Sequence, residues 1–262
     1  MRKASKDLPV IVFSKGRAFG EFWVRGRAHP SVLGRVLEVL NEHGILPRNI
    51  AAHYEGDEEV LFILADTTEA ISNIDVVVDK ISALPDVLEV DFLGPQPDYA
   101  CEAFGFPTTT SGTEEVMVIV LKCFTEMLQG VKTYFGSSGE VFLWYLAREI
   151  GSCTAKLLDA KLDSLSAEER VRAHLVFLSS AGWGVFELER LDLSKGIIEV
   201  RARDSFEVRH KKGSSKKSQC LFMKGYLAGM IGVHLKIKGV RVEEVSCEAK
   251  GDDVCLFVSH LR

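Results

Sequence analysis

The change of apolar period along the first third of the chain constrains its fold more than any other feature. EFWVRGRA (Glu21–Ala28) alternates and reads as a strand. HPSVLGRVLEVLNEHGI follows. Pro30 and Ser31 open a helix, Val32, Leu33, Val36, Leu37 and Leu40 recur at helical spacing, and Gly44 closes it in a left-handed cap. RNIAAHYEG and EEVLFILADT flank Gly56-Asp57, a hairpin signal. Ile71, Ile74, Val77, Val78 and Ile81 mark a second helix, and DVLEVDF (Asp86–Phe92) a last strand. Strand-helix-strand-strand-helix-strand is the split βαβ order, an antiparallel sheet with two helices on one face.

GPQPDYACEAFGFPTTTSGTEE (Gly94–Glu115) is rich in Pro, Gly and Thr and lacks periodicity. The expected organisation is a lead over residues 1–20, a first domain over 21–94, a linker over 95–115 and a second domain over 116–262. VMVIVLKCFTEMLQG is open to strand or helix. After it, Phe142, Leu143, Leu146, Ile150, Leu157 and Leu158 form a broad helical apolar stripe. Ser166 and Glu169 make a capping box for another helix. VFELERLD and IIEVRARDSFEV alternate as strands, RHKKGSSKKS is a basic loop, and QCLFMKGYLAGMIGVHL is a helix before a closing hairpin. The chain reads as α+β throughout. Gly225, Gly229 and Gly232 on that last helix predict close helix packing.

The 262 residues are 47% hydrophobic with a net charge of −5, enough apolar material for a core and the wrong sign for nucleic-acid binding by bulk charge. Met1-Arg-Lys-Ala-Ser-Lys is not followed by the apolar run of a secretory signal, and no segment approaches the roughly 20 apolar residues of a membrane span. The expectation is a cytoplasmic protein, whose six cysteines are free, metal-bound or catalytic rather than disulfide-bonded. Cys247 and Cys255 flank the turn EAKGDD, where a hairpin brings two thiols within reach of one ion. Cys220 opens the preceding helix, and Glu243 and Glu244 are the nearby carboxylates. Spacing alone leaves both a metal site and inert buried cysteines open, and strand alternation puts Glu243, not Glu244, on the face of Cys247.

The residues Glu21–Leu93 resemble an ACT domain, on element order and on HPSVLGRVLEVLNEHGI; Ser31 stands where that family has glycine. The resemblance implies small-ligand binding, often of an amino acid, by Ala28, His29, Pro30, Ser31, Val32 and Leu33 with Asn49, and a homodimer. From about Thr113 onward the chain is similar to the 4-vinyl reductase domain, in the form found in sensor domains of phenol- and toluene-responsive transcription activators. Cys220 with MKGYLAG, EEVSCEAKGDDVCLFV, GWGVFELERLD and RARDSFEV carry this likeness. It implies a structural zinc on Cys220, Glu244, Cys247 and Cys255, which for Glu244 requires a bulge. It also implies an apolar pocket for an aromatic or lipid-like ligand, for which the candidates are His174, Phe177, Trp183, Ala202, Phe222 and Tyr226. Those sensors carry a tryptophan in the strand before the Asp-Ser pair; here Ala202 and Arg203 precede Asp204-Ser205, which leaves the ligand open.

No helix-turn-helix, Walker, dinucleotide or His-Glu-x-x-His motif appears. The expected function is a small-molecule-sensing regulator that is not an enzyme and acts through a protein partner. DNA contact through the basic loop 209–217 is the less favoured use. The alternatives are a tetrapyrrole- or vinyl-reductase-related enzyme and an assembly adaptor.

Overall fold

A computed structural model describes residues 6–8, 10–110 and 112–260, and divides the chain into two compact units, 1–118 and 119–262. The first unit runs β1 (Ile11–Arg27), α1 (Ser31–Glu42), β2 (Leu46–Glu55), β3 (Glu58–Asp66), α2 (Ile74–Ser82), β4 (Val87–Cys101), then the short pair β5 (Thr109–Thr110) and β6 (Glu114–Glu115). The sheet order is β2-β3-β1-β4 with antiparallel neighbours, the ferredoxin-like arrangement. Alternation explains it: Phe22, Val24, Leu61 and Ile63 share the face that buries Val32, Val36 and Leu40 of α1 and Val77 and Ile81 of α2. Gly44 at φ 68 closes α1, and Gly56 at φ 61 turns the β2–β3 hairpin. The first strand begins inside the expected lead and β4 runs into the expected linker. Their extra pairing, Ile11↔Cys101 to Phe19↔Gln96, is the cause. Ile71 lies outside α2 and is exposed, because Asn73 caps the helix by accepting from Asp75 N.

The second unit runs α3 (Leu121–Lys161), α4 (Ala167–Ser180), β7 (Val185–Asp192), β8 (Ile197–Arg203), α5 (Leu221–His234), β9 (Val242–Ser246) and β10 (Cys255–His260), with sheet order β7-β8-β10-β9. Helix α3 is broken at Gly136, whose φ of 54 and ψ of −136 are not helical. The segment left open between strand and helix is helical from Leu121 onward. Ser166 and Glu169 form the capping box of α4.

The stripe expected on α3 divides in two. Gly139, Leu143, Ala147, Gly151 and Ala155, four apart, are buried, and the last four positions face α5 or the core. A Cβ added at Gly151 would lie 2.2 Å from the Tyr226 carbonyl oxygen, at Gly225 2.3 Å from that of Trp144, and at Gly229 2.0 Å from that of Arg148. The two helices touch backbone to backbone. Phe142, Leu146, Ile150 and Leu157 are consequently turned to the opposite side and exposed, 59%, 39%, 38% and 44%. A helix buries whichever face lets it come closest, and here small residues won over large ones.

Candidate functional site

The sequence-predicted ligands of the closing hairpin converge. One donor atom from each of Cys220, Glu244, Cys247 and Cys255 lies within 4.8 Å of every other, so the four can hold a metal ion. Three elements deliver them. Cys220 is the N-cap of α5, Glu244 belongs to β9, Cys247 precedes a 3-10 turn (Glu248–Lys250), and Cys255 starts β10. All three cysteines are fully buried. The Sγ atoms of Cys220 and Cys255 are 3.7 Å apart.

The conflict between Glu243 and Glu244 is resolved by the register of β9 on β10. Leu256 pairs with Ser246, but Phe257 pairs with Glu244, so Val245 is the extra residue of a bulge. The bulge turns Val245 to solvent, where it is 50% exposed, and rotates Glu244 inward while Glu243 stays exposed. Glu244 Oε2 accepts from Cys220 N at 3.0 Å; its Oε1 is buried without a hydrogen-bond partner. An orphaned carboxylate oxygen beside three thiols is a donor set awaiting a cation. Burial holds the Glu244 carboxyl at about 8. Hydrogen bonding with Cys247 and Cys255, then burial, pushes the Cys220 thiol far up, while the hydrogen bond from Cys220 pulls Cys247 down to about 4. The cluster by itself thus supports one thiolate, on Cys247, and a cation is what lets the rest ionise.

Supporting residues lie around it, several unforeseen. Cys247 N donates to Asp252 Oδ2 at 2.7 Å, and Glu248 N lies 3.4 Å from Cys255 Sγ. Glu207, buried on the turn after β8, accepts from Phe222 N at 3.0 Å and Met223 N at 2.9 Å. It thereby satisfies the first free N–H groups of α5. Burial, opposed by those two bonds, places its pKa at about 7. The basic loop is tied to this region rather than free. Lys212 Nζ reaches Glu248 Oε1 at 2.8 Å and Asp204 Oδ1 at 3.2 Å, Gly213 N donates to Glu248 O, and Ser215 N to Ala249 O.

A second cluster lies along α5. Tyr226 is 1% exposed and its Oη is 2.8 Å from His174 Nε2. His174 Nδ1 is 2.9 Å from His234 Nε2, and His234 Nδ1 is 2.6 Å from Asp159 Oδ1, which also meets Arg170 Nε at 3.1 Å. The ionised Asp159 fixes every tautomer: His234 Nδ1–H donates to it, His234 Nε2 accepts from His174 Nδ1–H, and His174 Nε2 accepts the Tyr226 hydroxyl. Burial, with the neighbouring His234, lowers His174 to about 3, burial lowers His234, and burial pushes Tyr226 up to about 12. Ring centroids of Trp183 and Tyr226 are 4.9 Å apart, Trp183 and Phe206 5.3 Å, Phe206 and Phe222 5.9 Å, and His174 and Phe177 6.0 Å. Of the expected pocket residues, His174, Phe177, Trp183, Phe222 and Tyr226 therefore share one cage. Ala202 lies on β8 opposite Cys255 and Phe186, on the metal-cluster side. Phe124, Phe206, His234 and Asp159 belong to the cluster and went unseen in the sequence.

In the first unit, Ala28, His29, Pro30, Ser31, Val32 and Leu33 form the β1–α1 turn and the start of α1. Ala28 N donates to Asp57 O at 2.8 Å, and His29 Nδ1 is 2.7 Å from Ser31 Oγ. Asn49 sits at a register shift of β2. A cleft of about 770 Å³ lies elsewhere, lined by Arg17, Thr68, Asn73, Gln96 and Asp98 among others, and none of the seven expected residues lines it.

This arrangement defines a class by sequence as well as geometry: residues 198–261 match the vinyl-4-reductase domain. Among solved structures, the chain is similar to the phenol-responsive sensory domain of the transcription activator PoxR with phenol. The identity is 14%, covering 57% of this chain and 78% of that one, with a TM-score of 0.50, a likeness of fold. A vinyl-4-reductase family protein from Methanocaldococcus jannaschii is matched at 17% identity, covering 56% of this chain and 98% of that one, with a TM-score of 0.34. The ACT domain of GTP pyrophosphokinase from Chlorobium tepidum is matched at 14% identity, covering 29% of this chain and 99% of that one, with a TM-score of 0.25. No curated protein matches the chain. No helix among the described residues is long and apolar enough to cross a membrane.

Proposed function

We propose that this protein is a cytoplasmic, non-catalytic, small-molecule-sensing regulator whose second unit binds an aromatic or hydrophobic ligand and carries a structural zinc. The observation that carries the reading is the enclosed cage of Trp183, Phe206, Phe222 and Tyr226 closed by a fully hydrogen-bonded histidine. An apolar enclosure with one aimed polar group is how small aromatic ligands are held, and the fold is shared with a sensory domain that responds to phenol. Zinc suits the metal cluster: two sulfurs on a tetrahedral ion at about 2.3 Å stand about 3.8 Å apart, against 3.7 Å between Cys220 and Cys255. Bound zinc supplies a cross-link, and Cys220, Glu244, Cys247 and Cys255 join the start of α5 to the closing hairpin through it. Four protein ligands leave no position for a substrate, as in structural rather than catalytic sites. The first unit is proposed as an ACT-like module that dimerises and takes an amino acid at the β1–α1 turn.

Native mass spectrometry and elemental analysis of full chain purified without added zinc test this reading. One zinc per chain and a bound or titratable aromatic ligand are expected. Less than about half an equivalent would remove the zinc proposal, since structural sites hold their ion through purification. Turnover of a phenolic or tetrapyrrole substrate would replace the sensor by an enzyme. The second reading, an assembly adaptor, is favoured by the exposed Phe142, Leu146, Ile150 and Leu157 on α3. A constant hetero-complex with no small ligand would support it.

A further inference from the structure

We infer that the aromatic cage is a phenol-recognition site whose occupant in this state is the protein's own phenol, the side chain of Tyr226. The inference rests on the cage being the ligand site proposed above, and it names both the ligand class and what holds the site closed.

The Tyr226 side chain is surrounded as a bound phenol would be. Its ring stacks beside Trp183 at 4.9 Å, His174 stands edge-on at 5.6 Å, and the residue is 1% exposed. Its hydroxyl meets the one acceptor that the chain of tautomers leaves free: with Asp159 fixing His234 and His234 fixing His174, His174 Nε2 carries a lone pair aimed at Oη. The histidine chain thus selects an O–H donor at this point and rejects an acceptor. It also selects against a plain hydrocarbon, which would leave a buried nitrogen unpaired. The site recognises a ring with a hydroxyl, and α5 supplies one covalently.

Both the need for His174 and the need for a ring are therefore met from within. A free phenol entering the cage has to displace a side chain tethered in place, whose effective concentration far exceeds that of a dilute ligand. The atoms that Tyr226→Ala deletes are those of one phenol molecule, and a cavity of benzene size lined by apolar side chains accepts such a guest. Full-length wild type, Tyr226→Ala and Tyr226→Phe are compared by calorimetric titration with phenol and with benzene. Expected is that Tyr226→Ala binds phenol at least about 100-fold more tightly than wild type, the ratio corresponding to expulsion of a buried aromatic ring from a packed core. It should also bind phenol more tightly than benzene. Tyr226→Phe, which keeps the ring in place, should bind no better than wild type.

Equal phenol affinity in wild type and Tyr226→Ala overturns the inference and leaves the sensor reading standing. Phenol binding confined to Tyr226→Ala upholds the inference while removing free small phenols as the natural signal. A folded Tyr226→Ala that ignores phenol also overturns it. Should that variant fail to fold, ultraviolet titration of the wild type decides. One of the five tyrosines should resist ionisation until about pH 12, and that late step should vanish in Tyr226→Phe. Ionisation of all five together would refute the closed cage.

Discussion

Replacing Gly229 by alanine tests the tightest contact in the second unit. Alanine is the better helix former, so the substitution alone should stabilise α5 by about 1 kcal/mol. Against this, the new Cβ would stand 2.0 Å from Arg148 O, 2.8 Å from Ser152 Oγ and 2.9 Å from Ser152 N. Two of these atoms are backbone and cannot rotate away. Ordinary contact lies near 3.5 Å, so α5 must withdraw from α3 by more than about 1 Å, which forfeits a quarter to a half of the attraction at each atom pair across the contact. Overpacking of this kind costs about 1–3 kcal/mol and more where backbone blocks relief. The net expectation is a loss of about 2 kcal/mol or more despite the propensity gain, or roughly 4–8 °C in Tm for a unit of this size. Gly130 is the control. It also lies in α3, but a Cβ there meets only Tyr134 Cε2, at 3.9 Å. Gly130→Ala should therefore stabilise by up to about 1 kcal/mol. Urea unfolding followed through the fluorescence of Trp144 and Trp183, both in this unit, gives the two values. If Gly229→Ala proves as stable as Gly130→Ala, the backbone contact between α3 and α5 is wrong.

The remaining predictions concern charge and the metal cluster. His174 is held at about 3 in the fold against 6.5 unfolded. Its contribution is complete above about pH 6.5 and is lost as the unfolded chain takes up the proton below it, about 2 kcal/mol by pH 5. His234 shifts the same way. Chemical denaturation of wild type and His174→Phe from pH 7 to 5 should show this extra slope only in wild type, and parallel slopes would refute it. Glu244→Ala should lose zinc to a chelator faster than Glu243→Ala does, by 10-fold or more, as read by a colorimetric zinc dye. Equal rates would put Glu243 at the metal. Lys212→Met strands the buried Glu248 carboxylate and should cost about 1–3 kcal/mol, whereas Lys217→Met, outside that ion pair, should be neutral; melting curves distinguish them.

Periodicity carried most of the first unit, because its helices and strands each bury one face and so write their period into the sequence. Gly44 and Gly56 were legible for the same local reason: their positive φ is a backbone requirement. The α3 stripe was not legible. Leu143 and Leu146 look alike in sequence, and only the partner surface on α5, with Gly225 and Gly229, decides that the small-residue side is buried. At the metal cluster the donor types were visible in the sequence, but the bulge at Val245 that turns Glu244 inward depends on cross-strand pairing with β10. His234 and Asp159 escaped notice because their partners stand 60 and 75 positions away, and no local pattern encodes such a distance. Tyr226 was expected as a wall of the pocket; its packing against Trp183 and His174 makes it the content.

Helix α5 joins these features in one beam. Its fourteen residues span about 21 Å. One end is clamped by Cys220 and by Glu207, the other by His234 on Asp159. The glycine seat on α3 removes sideways play, so a load applied at Tyr226, near midspan, has nowhere to be absorbed. It must appear as a slackened clamp at one end. The rate at which zinc leaves Cys220 thereby becomes a gauge of what fills the cage, legible in chelator competition with and without an aromatic guest.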